Sequence, residues 1–321
     1  MSDFHPLVSI VIPVYNGSNY MREAIDSALA QTYDNCEVLV VNDGSTDNGE
    51  TERIALSYGD EIRYFSKNNG GVATALNLGI REMRGEYFSW LSHDDLYLPE
   101  KVEAQVTTLR SLKNKESLVF CDITYINAKG ETLHSLRVPK EITKSPFCFL
   151  FERGGMHGCA LLIPRTTLLA AGLFPEQFPT TQDYELWFTL GRMLPFVQCE
   201  GCYVLSRNHD EQGSVTIAHH QDEIIDLHKR NVESYFLCKG HELGSEEKAL
   251  YHLLHQWIKA KNWTFIQSVF FTAPPMKNTW ASVKFHTSYI VGALRELSPN
   301  LRANTGHVKH IAKYFCRKIW K

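Results

Sequence analysis

The sequence predicts an α/β protein with a mostly parallel central sheet flanked by helices, and three observations lead to that expectation. Residues 7–125 alternate short β-rich runs with helical stretches, which is the pattern of strand-helix-strand units. The first run, Val-Ser-Ile-Val-Ile, is nearly continuous rather than alternating, as expected of a strand buried on both faces. A chain of 321 residues with 44% hydrophobic content can also bury a large core.

The individual elements follow from the spacing of the apolar residues. Strands are predicted at 7–14, 37–41, 62–65, 86–91 and 117–125. Helices are predicted between them, at 20–31 and 72–83. After residue 126 the rhythm loosens, and we expect strands near 158–163 and 201–206 and a helix at 183–191.

The pattern becomes helical near residue 216, where we place a domain boundary. The predicted units are 1–215, which holds the sheet, and the helical region 216–321. The last stretch, 302–321, has apolar residues on one helical face and carries Arg302, Lys309, Lys313, Arg317, Lys318 and Lys321 without an acidic residue. Such a helix can bind an anionic membrane surface or pack on neighbouring helices, and both interpretations stay open.

Composition and charge argue against several classes of protein. A formal net charge of −3 and a pI near 6.5 do not attract nucleic acid, so we expect no nucleic-acid partner. The eight cysteines are spread through apolar stretches, which predicts reduced core residues rather than a disulfide framework. The chain begins without signal-peptide features, and no apolar run approaches the roughly 20 residues that span a bilayer. We therefore expect a cytoplasmic protein, one that can be peripheral at the inner face of the plasma membrane through residues 302–321.

Three short acidic motifs carry the expected chemistry. They are Asp43 in Val-Asn-Asp-Gly-Ser-Thr-Asp, Asp94 with Asp95 in Leu-Ser-His-Asp-Asp, and Asp183 in Gln-Asp-Tyr-Glu-Leu-Trp. The first two follow predicted strands, and open α/β sheets bind ligands at the carboxyl ends of their strands. We expect these carboxylates to face a nucleotide, a metal ion and an acceptor in one cleft.

Longer motifs surround these acids in a particular order. The chain carries Val-Ser-Ile-Val-Ile-Pro-Val-Tyr-Asn at 8–16, Val-Asn-Asp-Gly-Ser-Thr-Asp at 41–47, and Asn69-Gly70-Gly71 followed by Asn77, Gly79 and Gly85. Together with the later acidic motifs they resemble family 2 glycosyltransferases, which have the GT-A fold. The resemblance covers about 7–215. The first strand is followed by neither Gly-x-Gly-x-x-Gly nor a P-loop, which argues against a dinucleotide oxidoreductase and an ATPase.

The resemblance implies a nucleotide site formed by Pro13, Tyr15, Asn16, Asp43, Lys67, Asn69 and Asp94. Asp43 matches the acid that binds the nucleotide base, since a carboxylate can accept a hydrogen bond from a ring N–H. The alternative is that Asp43 caps a helix, a role that Ser45, Thr46 or Asp47 can supply instead.

Ser92-His93-Asp94-Asp95 stands in the place of the family's Asp-x-Asp element. The resemblance therefore implies that Asp94 ligates a divalent cation, Mg²⁺ or Mn²⁺, which would neutralise charge on the leaving diphosphate. Ser92 departs from the family pattern because it replaces the first acid. A single carboxylate together with diphosphate oxygens and waters still satisfies Mg²⁺.

Asp183 resembles the family's catalytic base, although Gln182 stands where many members have glutamate. A carboxylate that removes the proton of an acceptor hydroxyl activates it for attack, and direct displacement inverts the anomeric centre. Asp183 can also cap the helix that it begins.

Three further residues are expected on the acceptor or diphosphate side. His157 follows the loop Gly154-Gly155-Met156, which resembles the acceptor-side loop of the family; its side chain either binds acceptor or packs. Arg207 and His209 lie in a segment that resembles the one closing over the diphosphate, where an arginine can bind phosphate and a histidine can ligate the metal. A surface loop is the alternative for that segment.

The expected function is a metal-dependent, inverting glycosyltransferase that uses a nucleoside-diphosphate sugar. The acceptor is expected to be a glycan or a lipid-linked molecule, with bacterial surface polysaccharide as the destination implied by the resemblance. The alternative is a non-catalytic nucleotide-sugar-binding partner in a glycan assembly complex.

Overall fold

The structure is a computed structural model that describes residues 4–154 and 156–209, together with 223, 224, 226, 227, 230, 231 and 234. The chain divides into two compact units, Met1–Leu227 and His228–Lys321. The predicted boundary near 216, the helices predicted after it and the basic segment 302–321 lie outside the described residues, and they stay predictions.

Among the described residues, nine strands form one sheet. Their bounds are β1 Val8–Val14, β2 Cys36–Asn42, β3 Arg63–Ser66, β4 Tyr87–Trp90, β5 Leu96–Tyr97, β6 Leu118–Asn127, β7 Thr132–Leu136, β8 Leu161–Pro164 and β9 Phe196–Asn208. The order across the sheet is β3-β2-β1-β4-β8-β6-β9-β5, and β7 pairs with β6.

Seven α-helices lie among the described residues. Their bounds are α1 Met21–Leu29, α2 Glu50–Leu56, α3 Val72–Glu82, α4 Lys101–Ser111, α5 Pro146–Arg153, α6 Arg165–Ala170 and α7 Gln182–Met193. Within the part of the chain that the structure describes, no helix is both long and apolar enough to cross a membrane.

The first half of the sheet is parallel, which confirms the predicted fold class. β1 runs parallel to both β2 and β4, and β2 runs parallel to β3. All seven residues of β1 are buried, as its nearly continuous apolar sequence predicts. The second half is mixed, because β8 runs antiparallel to both β4 and β6.

The topology places two of the predicted site residues, Asp43 and Asp94, beyond the carboxyl ends of neighbouring parallel strands. Asp43 directly follows β2, and its backbone N–H donates to the carbonyl of Val14 at the end of β1, at 2.8 Å. Asp94 lies four residues beyond Trp90, the last residue of β4, on the other side of β1. Because β2, β1 and β4 are parallel neighbours, their carboxyl ends meet here.

Candidate active site

Asp43 is a buried carboxylate that organises the loop beside it. Its Oδ1 accepts a hydrogen bond from Lys67 Nζ at 2.5 Å and from the Gly70 N–H at 3.1 Å. Its Oδ2 accepts from the Gly71 N–H at 2.7 Å, just before α3 begins. Asp43 therefore joins the end of β2 to the loop that leads into α3.

The side chain of Asp47, not that of Asp43, holds the start of α2. Oδ2 of Asp47 accepts from the backbone N–H of Thr51 at 2.9 Å and from its hydroxyl at 2.6 Å. The Asp43 carboxylate is thus not needed for that helix.

The remaining predicted nucleotide residues line or support the same strand ends. Asn16 accepts the Thr46 N–H at 2.7 Å through Oδ1, and its own N–H donates to Ser45 Oγ at 2.9 Å. Tyr15 is 44% exposed, so its ring is open to a ligand. Asn69 is also exposed, whereas Pro13 is buried within β1.

Asp94 and His209 form a close pair of potential metal ligands. Asp94 Oδ2 lies 2.9 Å from His209 Nε2, and their side chains are only 13% and 8% exposed. An octahedral ion with bonds of about 2.0–2.1 Å places neighbouring ligand atoms about 2.9 Å apart. The pair therefore fits two adjacent positions around a divalent cation.

The side chains of Ser92 and His93, which precede Asp94, pack against other parts of the protein. The Ser92 hydroxyl lies 3.4 Å from the Cys159 sulfur, so the residue that replaces the family's first acid contacts a thiol. Burial lowers the pKa of His93, which favours its neutral imidazole. A Cβ added at Gly17 would lie 2.6 Å from the His93 ring, so glycine allows this loop to pack against the end of β1.

Asp95 is the centre of a buried network. Its Oδ1 accepts the backbone N–H of Arg207 at 2.9 Å, and its Oδ2 accepts the Cys159 thiol at 3.2 Å. Burial raises the pKa of Asp95, and the nearby His157 opposes that shift. This network ties the segment after β4 to β9 and to the loop before β8.

Asp95, His157 and Cys159 together could hold a metal ion, because their ligand atoms lie within 4.8 Å of one another. Both carboxylate oxygens of Asp95 already accept hydrogen bonds from the protein, however, and a thiol is a poor ligand for Mg²⁺ or Mn²⁺. The Asp94–His209 pair contains no thiol, and a cation would replace only the hydrogen bond between the two side chains, so this pair is the better fit to the predicted cation.

His157 points one nitrogen into this network. Nε2 lies 3.0 Å from Ser206 Oγ and 3.7 Å from Asp95 Oδ2. Nδ1 is buried and has no hydrogen-bond partner among the described residues. The contact of Nε2 with Ser206 agrees with one of the two alternatives for His157, in which the side chain packs within the protein. The other alternative, binding of acceptor, stays a prediction.

Asp183 lies in the first turn of α7. Its Oδ1 accepts the backbone N–H of Tyr184 at 2.9 Å, so the side chain supports the first turn of the helix. Thr181 occupies the N-cap position. Burial raises the pKa of Asp183 to about 6, while the hydrogen bond from Tyr184 opposes the shift.

A series of aromatic contacts connects α7 to the end of β4. Trp187, four residues after Asp183 and on the same helix face, packs edge-on against Phe174 with ring centroids 5.8 Å apart. Phe174 packs edge-on against Trp90 at 5.9 Å. Asp183 therefore lies in the first turn of a helix whose inner face reaches the strand that leads to Asp94.

Arg207 is held by protein groups. Its Nε donates to the backbone carbonyl of Asp94 at 3.0 Å, and one terminal nitrogen donates to Glu23 Oε2 at 2.7 Å. The predicted contact with a diphosphate stays a prediction, while these contacts give the side chain an internal role.

Two residues of this site, Tyr20 and Glu23, were not expected from the sequence. They lie at the start of α1 and contact His209 and Arg207, respectively. No local motif marks them, because their partners lie almost 190 residues away along the chain; Glu23 and Arg207 are 184 residues apart.

Comparison with known proteins agrees with the fold. The model of the glycosyl transferase family 2 matches residues 9–166. An uncharacterized glycosyltransferase of Rickettsia felis is 54% identical over 245 residues, 75% of this chain and 39% of that protein. Another, from Rickettsia prowazekii, is 48% identical over 245 residues, 74% of this chain and 76% of that protein. This chain thus spans about two fifths of the length of the first relative and most of the second.

Solved structures show the same architecture. The crystal structure of S. aureus TarS 1-349 in complex with UDP-GlcNAc aligns with a TM-score of 0.61 at 14% sequence identity. The alignment covers 98% of this chain and 88% of that chain. At this identity the likeness concerns the fold, which is GT-A.

Proposed function

Because the chain belongs to glycosyl transferase family 2, we propose that it transfers a sugar from a nucleoside-diphosphate donor to an acceptor hydroxyl, with inversion of the anomeric carbon. The observation that carries this proposal is Asp183, a half-buried carboxylate in the first turn of α7 whose pKa desolvation raises to about 6. Such a group is ionised at neutral pH yet more basic than an ordinary aspartate, which suits a general base. Asp183 takes the proton of the acceptor hydroxyl as the oxygen attacks the donor sugar.

The donor side is formed by the ends of β1 and β2. Asp43, Lys67 and Asn69 form the wall that binds the base, and the exposed ring of Tyr15 offers a face on which the base can stack. Asn16 supports this wall through its bonds to Ser45 and Thr46. TarS was solved with UDP-GlcNAc, so uridine diphosphate sugars are the first donors to test.

Asp94 and His209 would hold the divalent cation. When bound there, the cation neutralises charge that develops on the leaving diphosphate. Their mixed oxygen and nitrogen donors suit Mn²⁺ better than Mg²⁺, which prefers oxygen ligands alone. Arg207 holds the carbonyl of Asp94. We propose that His157, whose buried Nδ1 has no hydrogen-bond partner among the described residues, contributes to acceptor binding.

We propose that the acceptor is a glycan or a lipid-linked molecule, as in the assembly of bacterial surface polysaccharide. Support for this comes from the family alone. A membrane-bound acceptor would agree with the basic segment 302–321, whose test is described in the Discussion.

The test compares the wild-type chain with Asp183→Asn. Each protein is incubated with UDP sugars, Mn²⁺ and candidate acceptors, and free UDP is measured. We expect the substitution to reduce turnover by about 10²–10⁴-fold while UDP binding stays the same. Wild-type kcat/KM should rise with pH until about 6 and level off above it, as ionisation of Asp183 requires.

The matched control is Asp60→Asn, because Asp60 is exposed and remote in sequence from these motifs. Its turnover should equal that of the wild type. If the wild-type chain binds UDP but turns over no donor with any acceptor, the chain is a nucleotide-sugar-binding partner and the proposed transfer is wrong.

A further inference from the structure

The start of α1 contacts Arg207, which lies near the end of β9, and His209, which directly follows that strand. Glu23 Oε2 accepts a hydrogen bond from the Arg207 guanidinium at 2.7 Å. The Tyr20 ring lies under the same guanidinium, 4.4 Å from its central carbon, and 5.2 Å from the His209 ring. Tyr20 therefore touches Arg207 and His209 at once.

Arg207 links this helix end to the segment that carries Asp94. Each of its three guanidinium nitrogens donates to a protein acceptor: Nε to the Asp94 carbonyl at 3.0 Å, one terminal nitrogen to the Ala128 carbonyl at 3.1 Å, and the other to Glu23. The backbone N–H of Arg207 donates to Asp95. Arg207 thus hydrogen-bonds to Asp94 through its side chain and to Asp95 through its backbone.

The cost of loosening this arrangement is high because Arg207 is buried. Its side chain is 3% exposed, whereas that of Glu23 is 56% exposed. Removing the Glu23 charge would take away the ion pair that Glu23 makes with this buried guanidinium, which favours rearrangement of the arginine. Such a rearrangement would release the Asp94 carbonyl, and with it the segment that holds the Asp94 carboxylate.

We propose that Tyr20, Glu23 and Arg207 form a clamp that sets the spacing of Asp94 and His209 and thereby the affinity for a divalent cation. The clamp residues are positioning residues, since they act through Asp94 and His209. The inference rests on the proposed function for the role of that cation. The diphosphate contact expected of Arg207 stays a separate prediction.

The physical basis is preorganisation. Two ligands already held 2.9 Å apart need little rearrangement when the ion binds. Partners that orient the direct ligands commonly change metal affinity by about 10–100-fold when they are removed.

The experiment measures binding of Mn²⁺ alone to the full chain by electron paramagnetic resonance, without nucleotide. We expect Glu23→Gln and Tyr20→Leu to weaken Mn²⁺ binding about tenfold or more. Tyr20→Phe keeps the ring that makes both contacts and should stay within about twofold of the wild type. The surface substitution Glu52→Gln is the matched control and should change nothing, because Glu52 is exposed on α2.

A second measurement separates the clamp from a phosphate contact. Binding of UDP in the presence of EDTA should be equal for the wild type, Glu23→Gln and Tyr20→Leu. Melting temperatures confirm that each variant is folded. The clamp is overturned if Mn²⁺ affinity of both variants stays within twofold of the wild type, if the wild type binds no Mn²⁺, or if the variants lose UDP affinity without metal. None of these measurements depends on transfer activity. The clamp and the proposed reaction can therefore fail independently, since the reaction is tested by turnover of Asp183→Asn.

Discussion

At the scale of single residues, Asp183, the proposed general base, carries a cost in stability. Its pKa is raised from 3.8 to about 6 by burial, so the ionised form is less favourable in the folded protein than in the unfolded chain. The penalty is absent well below pH 4, grows as the pH rises, and is complete above about pH 6. Proteins commonly retain such a penalty at a functional group.

We therefore predict that Asp183→Asn, the substitution expected to slow transfer, stabilises the folded protein at pH 7.5. The neutral amide avoids the cost of burying charge, and a shift of about two pKa units corresponds to an order of 1–3 kcal/mol. Urea unfolding of both proteins between pH 5 and 8 measures the difference, which should shrink towards pH 5. A difference that is independent of pH, or a destabilised variant at pH 7.5, would contradict the prediction. Asp60→Asn should show no pH-dependent difference, since its carboxylate is exposed.

At the scale of elements, Asn77 of α3 holds the segment that supports α7. Its amide nitrogen donates to the Phe174 carbonyl at 2.8 Å and to Glu176 Oε1 at 2.9 Å. Its oxygen accepts the Phe174 N–H at 2.9 Å. Since Phe174 lies between Trp90 and Trp187, Asn77 helps to set the position of the helix that carries Asp183.

Replacing the Asn77 amide should lower the free energy of unfolding substantially. Asn77→Ala removes the partners of both buried backbone groups of Phe174, and we expect a loss of about 2–4 kcal/mol in the free energy of unfolding. The near-ultraviolet circular dichroism of the tryptophans should change as well. Asn114→Ala, at an exposed turn, should cost less than about 1 kcal/mol. A loss below 1 kcal/mol for Asn77→Ala would show that the segment is held by other contacts.

At the scale of the whole molecule, charge is distributed unevenly along the chain. The net charge is −3, yet residues 302–321 contain basic residues and no acidic ones. This segment lies outside the described residues, so its surface role stays a prediction. Basic side chains near an anionic bilayer contribute about 1 kcal/mol each.

We predict that the full chain sediments with vesicles that contain phosphatidylglycerol and that binding weakens as salt is raised. Deleting 302–321 should abolish sedimentation, and so should replacing its six basic residues with glutamine while the apolar residues are kept. Vesicles of phosphatidylcholine alone are the control and should bind little of any variant. Equal binding of the deleted and intact chains would exclude this segment as the membrane contact.

Much of the fold could be predicted because its signals are local. The apolar runs at 8–12 and 37–41 and the helical spacing at 72–83 each lie within a few residues of one another, and the structure has β1, β2 and α3 there. Each acidic motif is equally local, which is why its position at a strand or helix end could be predicted. The roles of Asp43, Asp94 and Asp183 remain proposals.

The sequence by itself determined the parallel half of the sheet, the family and the places where carboxylates follow strands. Only the tertiary structure decided what those groups touch: Lys67 beside Asp43, Cys159 beside Asp95, and the Tyr20, Glu23 and Arg207 contacts behind Asp94. The physical reason is distance along the chain. Hydrophobic periodicity acts over a few turns, whereas Glu23 meets Arg207 across 184 residues and Arg207 meets Asp94 across 113, and such contacts exist only once the sheet has assembled.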